Sequence, residues 1–117
     1  MKKTETLKKN YEFKNTLNKG KYCSGIYIEA FYIKYNKKIN QIGIAISTKY
    51  AKAVKRNYLK RLIRESYRLN EEKAGVGNSI VFLIKKKTKI EEITFEKVQN
   101  DMIKILEKIG QEQWKKY

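Results

Sequence analysis

The sequence contains no histidine and no proline, and its single cysteine is Cys23. The absence of histidine removes the commonest general base and the commonest metal ligand of proteins. A lone cysteine allows no internal disulfide, which is typical of the reducing cytoplasm. No apolar run approaches the roughly 18 residues that span a bilayer, and the basic N-terminus lacks the apolar segment of a signal peptide. We therefore expect a cytoplasmic protein that does not enter a membrane.

Patterns of catalytic sites are also missing from the sequence. It has no GxxxxGK[ST] phosphate loop, no acidic cluster on a common face that would hold a metal, and no nucleophile beside a base. These absences predict a protein without catalytic residues of its own, and without a metal or cofactor bound by the protein alone.

Positive charge is what the chain has in excess. Its 28 Lys and Arg residues outnumber 12 Asp and Glu, which gives a net charge of +16. Residues 1–68 contain 18 of the basic and four of the acidic residues, so nearly all of the excess lies there. Such a charge repels itself, and a phosphate polymer is the usual partner that relieves the repulsion. An anionic membrane surface is the competing partner.

Hydrophobic periodicity predicts a single α+β domain over residues 1–117, in the order α-β-β-β-α-β-α. Residues 1–9 are poorly patterned, and we expect them to be frayed. The segment 22–35 is one long strand or two strands with a bend near Gly25. The continuous apolar run 79–85 predicts a central strand buried on both faces. The predicted elements are helices at 10–19, 53–70 and 95–109, and strands within 22–35, at 39–47 and at 79–85.

Two further local patterns bear on the site. Asn10 and Thr94 are suitable N-caps for the first and third helices. In the strand 39–47, Ile42, Ile44 and Ile46 share one face, whereas Gly43 and Ala45 keep the other face small. A small face leaves room for a helix or a ligand to lie against the strand.

The segment 53–68, AVKRNYLKRLIRESYR, predicts an amphipathic helix with one apolar and one cationic side. Its apolar arc consists of Leu59, Leu62, Ile63 and Leu69, with Tyr58 beside them. The opposite side carries a row at i, i+4 spacing, which consists of Arg56, Lys60, Arg64 and Arg68, with Asn57 and Arg61 beside the row. Like charges at this spacing cost a few tenths of a kcal/mol per pair, and a solvated face would mix signs to avoid that cost.

Three interpretations of this cationic side remain: a solvated basic face, a membrane-surface helix and a nucleic-acid-binding helix. A membrane-surface helix exposes its apolar arc, whereas the core needs the arc here. Nucleic acid is therefore the favoured partner. The face has one Asn among closely spaced cations, which suits phosphate contacts on a folded RNA better than base reading in a DNA groove.

The segment KRNYLKRLIRES at 55–66 closely resembles the signature of the bacterial ribonuclease P protein family. LKKNYEFKNTLNKGK at 7–21 is similar to the family's N-terminal segment, IGIAISTKYAKAVKRN at 42–57 to its strand and signature helix, and SIVFLIKK at 79–86 to a later strand. The resemblance implies a single-domain α/β sandwich of the ribosomal protein S5 domain 2-like type. It also implies a left-handed β-α-β crossover around the signature helix. Most β-α-β crossovers are right-handed.

The resemblance further implies a function. The protein is a small, non-catalytic subunit that binds a catalytic RNA, and the complex removes the 5′ leader of precursor tRNA by Mg²⁺-assisted hydrolysis. The RNA holds the catalytic metals, and the protein is a monomer in 1:1 complex with it. The residues implied to bind the RNA subunit are Arg56, Asn57, Lys60, Arg61 and Arg64, with Lys49, Lys52, Lys55 and Arg68 as helpers.

The family also holds the single-stranded leader in a cleft between its first helix and the sheet. The matching positions are Phe13 and Leu17 on the helix, Phe31 on a strand and Lys9 near the cleft mouth, with residues 43–47 as the floor. Phe13, Leu17 and Phe31 also suit a purely structural role in the core.

Tyr58 stands where many members have a third basic residue, and we expect it to matter less for RNA. A structural or ribosomal RNA-binding protein and a DNA-binding regulator are the alternative functions.

Overall fold

The structure is a computed structural model that describes residues 3–112. Three helices and five strands form one α+β domain; the α+β class, the three helices and four of the strands are as the sequence predicts, and the first strand is additional. The strands are β1 (Thr4–Thr6), β2 (Lys21–Ser24), β3 (Ile28–Lys34), β4 (Asn40–Ala45) and β5 (Asn78–Ile84), and the helices are α1 (Asn10–Lys19), α2 (Ala53–Asn70) and α3 (Phe95–Gly110). Short 3₁₀ turns at Glu71–Ala74 and Ile90–Glu92 follow α2 and precede α3. No helix within residues 3–112 is long and apolar enough to cross a membrane.

The five strands form one mixed sheet in the order β1-β4-β5-β3-β2. β5 lies at its centre, parallel to β4 and antiparallel to β3, and nearly all of its side chains are buried. This confirms the prediction from its continuous apolar run. β4 and β5 are parallel neighbours joined through α2, so the β-α-β unit is present, and the hand of its crossover stays a prediction.

The two faces of the sheet are covered differently. One face packs against α2 and α3 and contains the main core. The sheet contributes Ile42, Ile80 and Phe82 to this core, and α2 contributes Leu59 and Ile63. The buried residues of α3 are Val98, Met102, Ile105, Leu106 and Ile109 together with Asp101. The other face carries α1 alone, where the Thr16 and Ser79 hydroxyls lie 3.2 Å apart in a buried hydrogen bond.

The predicted fraying of the N-terminus is wrong for Thr4–Leu7. Thr4–Thr6 pair in parallel with Asn40–Ile42, and the Leu7 amide donates to the Ile42 carbonyl at 2.8 Å while its side chain is buried. Three residues are too few to show a strand periodicity, so pairing with β4 decides their conformation. Met1 and Lys2 lie outside the described residues.

The helix ends match the predictions with one exception. Thr94 caps α3, since its hydroxyl accepts a hydrogen bond from the Lys97 amide. Asn10 is wrong as a cap, because it is the first residue of α1 and Lys9 holds the cap position without a side-chain bond. The bend near Gly25 is confirmed and divides β2 from β3.

The apolar side of α2 is rotated slightly from its predicted position. Leu59, Leu62 and Ile63 are buried, but Leu69 is 52% exposed. Tyr67, which the predicted arc does not include, is fully buried. The Tyr67 hydroxyl is paired with the Thr4 hydroxyl at 2.6 Å and accepts from the Asn40 amide. Those partners come from β1 and β4, so the polar tip of a buried tyrosine is satisfied by strands that are distant in sequence.

A buried carboxylate holds the β2–β3 turn. Asp101 on α3 accepts hydrogen bonds from the backbone amides of Ile26, Tyr27 and Ile28 at 2.9, 2.7 and 3.1 Å. A Cβ on Gly25 would lie 2.2 Å from the Asp101 carboxyl carbon. The turn therefore needs glycine at 25, because no larger residue leaves room for the carboxylate.

We expect Asp101→Asn to lower the free energy of unfolding by about 3 kcal/mol. The amide side chain has one accepting oxygen, so buried amide donors of the turn lose their charged acceptor, each costing about 1–3 kcal/mol. Urea denaturation followed by circular dichroism measures the change. Glu107→Gln, an exposed position on the same helix, removes the same charge and serves as the control. Equal stabilities of the two variants would contradict the role assigned to Asp101.

Candidate nucleic-acid interface

The helix α2 presents its cations on the side away from the sheet, as the sequence predicts. Arg61, Arg64 and Arg68 are exposed, whereas Arg56 and Lys60 are half-buried at the border. Asn57 and Lys55 are exposed, and Lys49 and Lys52 lie exposed in the connection from β4 to α2. We refer to these nine residues as the basic surface: Lys49, Lys52, Lys55, Arg56, Asn57, Lys60, Arg61, Arg64 and Arg68.

Only one cation of the basic surface has a carboxylate partner among residues 3–112. Arg68 forms an ion pair with Glu65 three residues earlier on the helix, and this hydrogen-bonded neighbour lowers the pKa of Glu65. The pair removes one of the like-charge contacts of the row. The unpaired charges of Lys60, Arg61 and Arg64 remain close together, and a polyanion would offset their repulsion.

Arg56 is fixed by the backbone before α2. Its guanidinium donates to the Ala51 carbonyl at 2.7 Å, and the Arg56 amide donates to the Lys52 carbonyl in the first turn. A guanidinium has five N–H donors, so this bond orients the group and leaves donors for a phosphate.

The opposite face of the sheet is only half covered by α1. The Phe13 ring lies directly on Gly43, where a Cβ would come within 2.5 Å of the ring. The small face predicted for β4 is thus occupied at Gly43 by a side chain of the first helix. Gln41 and Ser79 are buried beneath α1, with the Gln41 amide donating to the Ser79 hydroxyl.

Beyond Phe13 the same face is open. Strand pairing aligns Gly43 with Val81, Val81 with Phe31, and Phe31 with Tyr22, and paired residues point to the same face. The next positions along the strands, Ala45 and Leu83, are partly exposed. We refer to Tyr22, Glu29, Phe31, Ala45 and Leu83 as the open sheet face.

The structure therefore brings Phe13 and Phe31 to the same face of the sheet, and each is half-buried. Leu17 lies one helical turn after Phe13 and is also half-buried. Lys9 stands at the N-terminus of α1 and lines a separate cavity of about 350 Å³ with Glu5, Glu12 and other residues. Its ammonium lies 5.8 Å from the centre of the Tyr11 ring.

Sequence reasoning missed Tyr22 as a member of this face. Its ring lies 5.1 Å from that of Phe31, and its hydroxyl donates to Glu29 at 2.7 Å. This hydrogen bond raises the pKa of Tyr22. Predicting a tight hairpin turn at Gly25–Tyr27 would have identified Tyr22, because that turn sets Tyr22 opposite Phe31. Nine tyrosines in the chain made any single one uninformative without that register.

Cys23 has the properties of a structural residue. Burial raises the pKa of its thiol to about 11, so the thiolate form required of a nucleophile is scarce near neutral pH. Within residues 3–112, no three His, Cys, Asp or Glu side chains are grouped so that they could hold a metal ion.

Comparisons with known proteins agree with this geometry. A family model described as Ribonuclease P matches residues 1–110. The ribonuclease P protein component of Thermoanaerobacter sp. strain X514 is 34% identical over 102 residues, which cover 87% of this chain and 86% of that protein. The protein of the same name from Clostridium botulinum strain Langeland is 33% identical over 109 residues, or 92% and 96% of the two chains. The solved RNase P protein from Thermotoga maritima matches with a TM-score of 0.81 at 29% identity, over 90% of this chain and 97% of that one.

The fold and the basic surface define a small α+β protein of the nucleic-acid-binding class. The family match, which spans nearly the whole chain, makes the assignment specific. The chain belongs to the ribonuclease P protein family, and RNA binding in tRNA processing is its function.

Proposed function

We propose that this chain docks on the catalytic RNA of ribonuclease P through the basic surface of α2. The supporting observation is the concentration of unpaired cations on one side of a helix whose other side is fixed in the core. Arg56, Asn57, Lys60, Arg61 and Arg64 make the main contacts in this proposal. Lys49, Lys52 and Lys55 extend them, and Arg68 contributes less because Glu65 neutralises it.

The open sheet face is proposed to hold the single-stranded 5′ leader of precursor tRNA. Unpaired bases stack well on aromatic side chains without regard to sequence. Phe31 and Tyr22 lie on this face, and Phe13 of α1 borders it at Gly43. Leu17 adds apolar contact without a ring. The connection 46–52 leads from the end of β4 into α2, so the leader would reach the basic surface across a short distance. Lys9 would meet the leader on the far side of α1.

The protein is proposed to be the non-catalytic subunit of the holoenzyme, acting as a monomer in a 1:1 complex in the cytoplasm. The lack of histidine and the protonated Cys23 thiol support this division of labour. Mg²⁺ would be held by the RNA, where it supplies the hydrolytic chemistry. The chain itself would bind and position the two RNAs.

Replacing Arg64 by Ala should weaken binding to the catalytic RNA and reduce the steepness of its salt dependence by about one unit in a plot of log K against log salt. The physical reason is the loss of one phosphate contact with its counterion release. Fluorescence anisotropy with labelled RNA over a range of KCl concentrations measures both quantities. Lys104→Ala, an exposed cation on α3, should change neither. An unchanged slope in Arg64→Ala would argue against docking through α2.

Purified protein should not cleave precursor tRNA, but it should stimulate cleavage by the cognate RNase P RNA at low Mg²⁺. In this proposal the protein raises the affinity of the catalytic RNA for precursor tRNA. Its positive charge also offsets the repulsion between the phosphates of the two RNAs, which Mg²⁺ otherwise offsets. Gel analysis of 5′-labelled precursor measures cleavage by protein, RNA and the mixture. Cleavage by the protein alone after nuclease treatment to remove RNA would contradict the proposal. Co-purification with ribosomal RNA instead of RNase P RNA would favour a structural RNA-binding role.

Phe13→Ala should weaken holoenzyme binding to precursor tRNA about tenfold, with little effect on mature tRNA that lacks the leader. The protein should still unfold cooperatively, because Phe13 lies outside the main core cluster, on the other face of the sheet. Tyr11→Ala removes an exposed aromatic from the same helix and is the matched control. If Phe13→Ala abolishes the cooperative transition, Phe13 is a core residue and the assignment of the cleft fails.

A further inference from the structure

Tyr58 is unexpectedly exposed. The sequence places it beside the apolar arc of α2, yet its relative exposure is 45%. Val54, one turn earlier on the same side of the helix, is 79% exposed. The two residues therefore leave apolar surface accessible on neighbouring turns of α2.

Exposure alone does not mark a binding residue, because single apolar side chains are common on protein surfaces. Leu69 near the end of α2 is exposed to a similar degree, and its neighbour Arg68 is already paired with Glu65. Tyr58 differs in its surroundings. Lys55 and Arg61 lie three residues before and after it, on adjacent turns of the helix, and Asn57 precedes it. All three are exposed, so the ring borders unpaired cations.

We propose that the Tyr58 ring stacks on an unpaired base of the RNA that α2 binds. Folded RNA presents unstacked bases in loops and bulges, and proteins recognise them with aromatic side chains while cations hold the adjoining phosphates. Lys55 and Arg61 lie three residues to either side of the ring and are exposed, so they would hold the phosphates next to the stacked base. Val54 would contact the edge of the same base.

This inference deepens the proposed function, since it requires that α2 docks on the catalytic RNA. It also reverses the expectation that position 58 matters less for RNA. A basic residue at this position would add a salt-dependent phosphate contact. A tyrosine instead makes an uncharged contact through the face of its ring. Loss of a phosphate contact reduces the slope of log K against log salt, whereas loss of a stacking contact leaves that slope unchanged.

The test compares Tyr58→Ala, Tyr58→Leu and Tyr58→Phe for binding to in vitro transcribed RNase P RNA across a range of KCl concentrations. We expect Ala and Leu to weaken binding about tenfold at every salt concentration, with the slope of log K against log salt unchanged. Phe keeps the ring and should bind as the parent does. Leu69→Ala is the matched control for an exposed apolar residue on α2 and should have no effect.

Several outcomes would overturn the inference. Full affinity in Tyr58→Leu would show that the ring is not needed, and a loss in Tyr58→Phe equal to that in Ala would assign the contact to the hydroxyl. Arg64→Ala, measured in parallel, separates this inference from the proposed function. If Arg64→Ala flattens the slope while Tyr58→Ala binds normally, only the stacking contact is wrong. If neither variant changes binding, docking through α2 fails as well. Thermal unfolding of each variant checks that the fold is intact.

Discussion

The packing of the apolar side of α2 against α3 and the sheet determines where the charge of this protein lies. Leu59, Ile63 and Tyr67 are fully or almost fully buried there, and burying each such side chain contributes about 1.5–3 kcal/mol. The like-charged pairs on the opposite side cost only a few tenths of a kcal/mol each. Burial therefore prevails, and the helix that carries the cations is held in place before any RNA binds. A binding surface that is ordered in advance loses less entropy on association.

A geometric limit explains the other half of the interface. A helix of ten residues is about 15 Å long, whereas five strands spaced by about 4.8 Å make a sheet roughly 20 Å wide. Along the strands, the sheet also extends further than the diameter of one helix. A single short helix therefore does not cover the whole face. α1 thus covers Gly43 and Ser79 but leaves Phe31, Ala45 and Leu83 partly exposed. The uncovered part has the aromatic residues Tyr22 and Phe31 at one side. At its other side Ala45 ends β4, and the connection to α2 follows. A single-stranded RNA lying on it would be close to the cations of the basic surface.

Local patterns predicted most of the elements, for identifiable reasons. The apolar run 79–85 has no polar face, which favours a central strand buried on both faces. The stripe Val98–Ile109 repeats at helical spacing over about three turns. Sequence reasoning failed where partners are distant along the chain. Thr4–Thr6 become a strand because β4 offers a free edge. Tyr67 is part of the core, where Thr4 and Asn40 satisfy its hydroxyl. Neither partnership leaves a periodic trace in the residues concerned.

The candidate site divides in the same way. The sequence by itself determined the charge, the absence of histidine and the cationic row of α2, because composition and helical periodicity are local properties. Only the tertiary structure decided that Phe13 lies on Gly43 and that Tyr22 stands beside Phe31. Those facts depend on strand register and on the angle at which each helix meets the sheet. The exposure of Tyr58 belongs to this second group, since it results from a small rotation of α2 that packing against the sheet imposes.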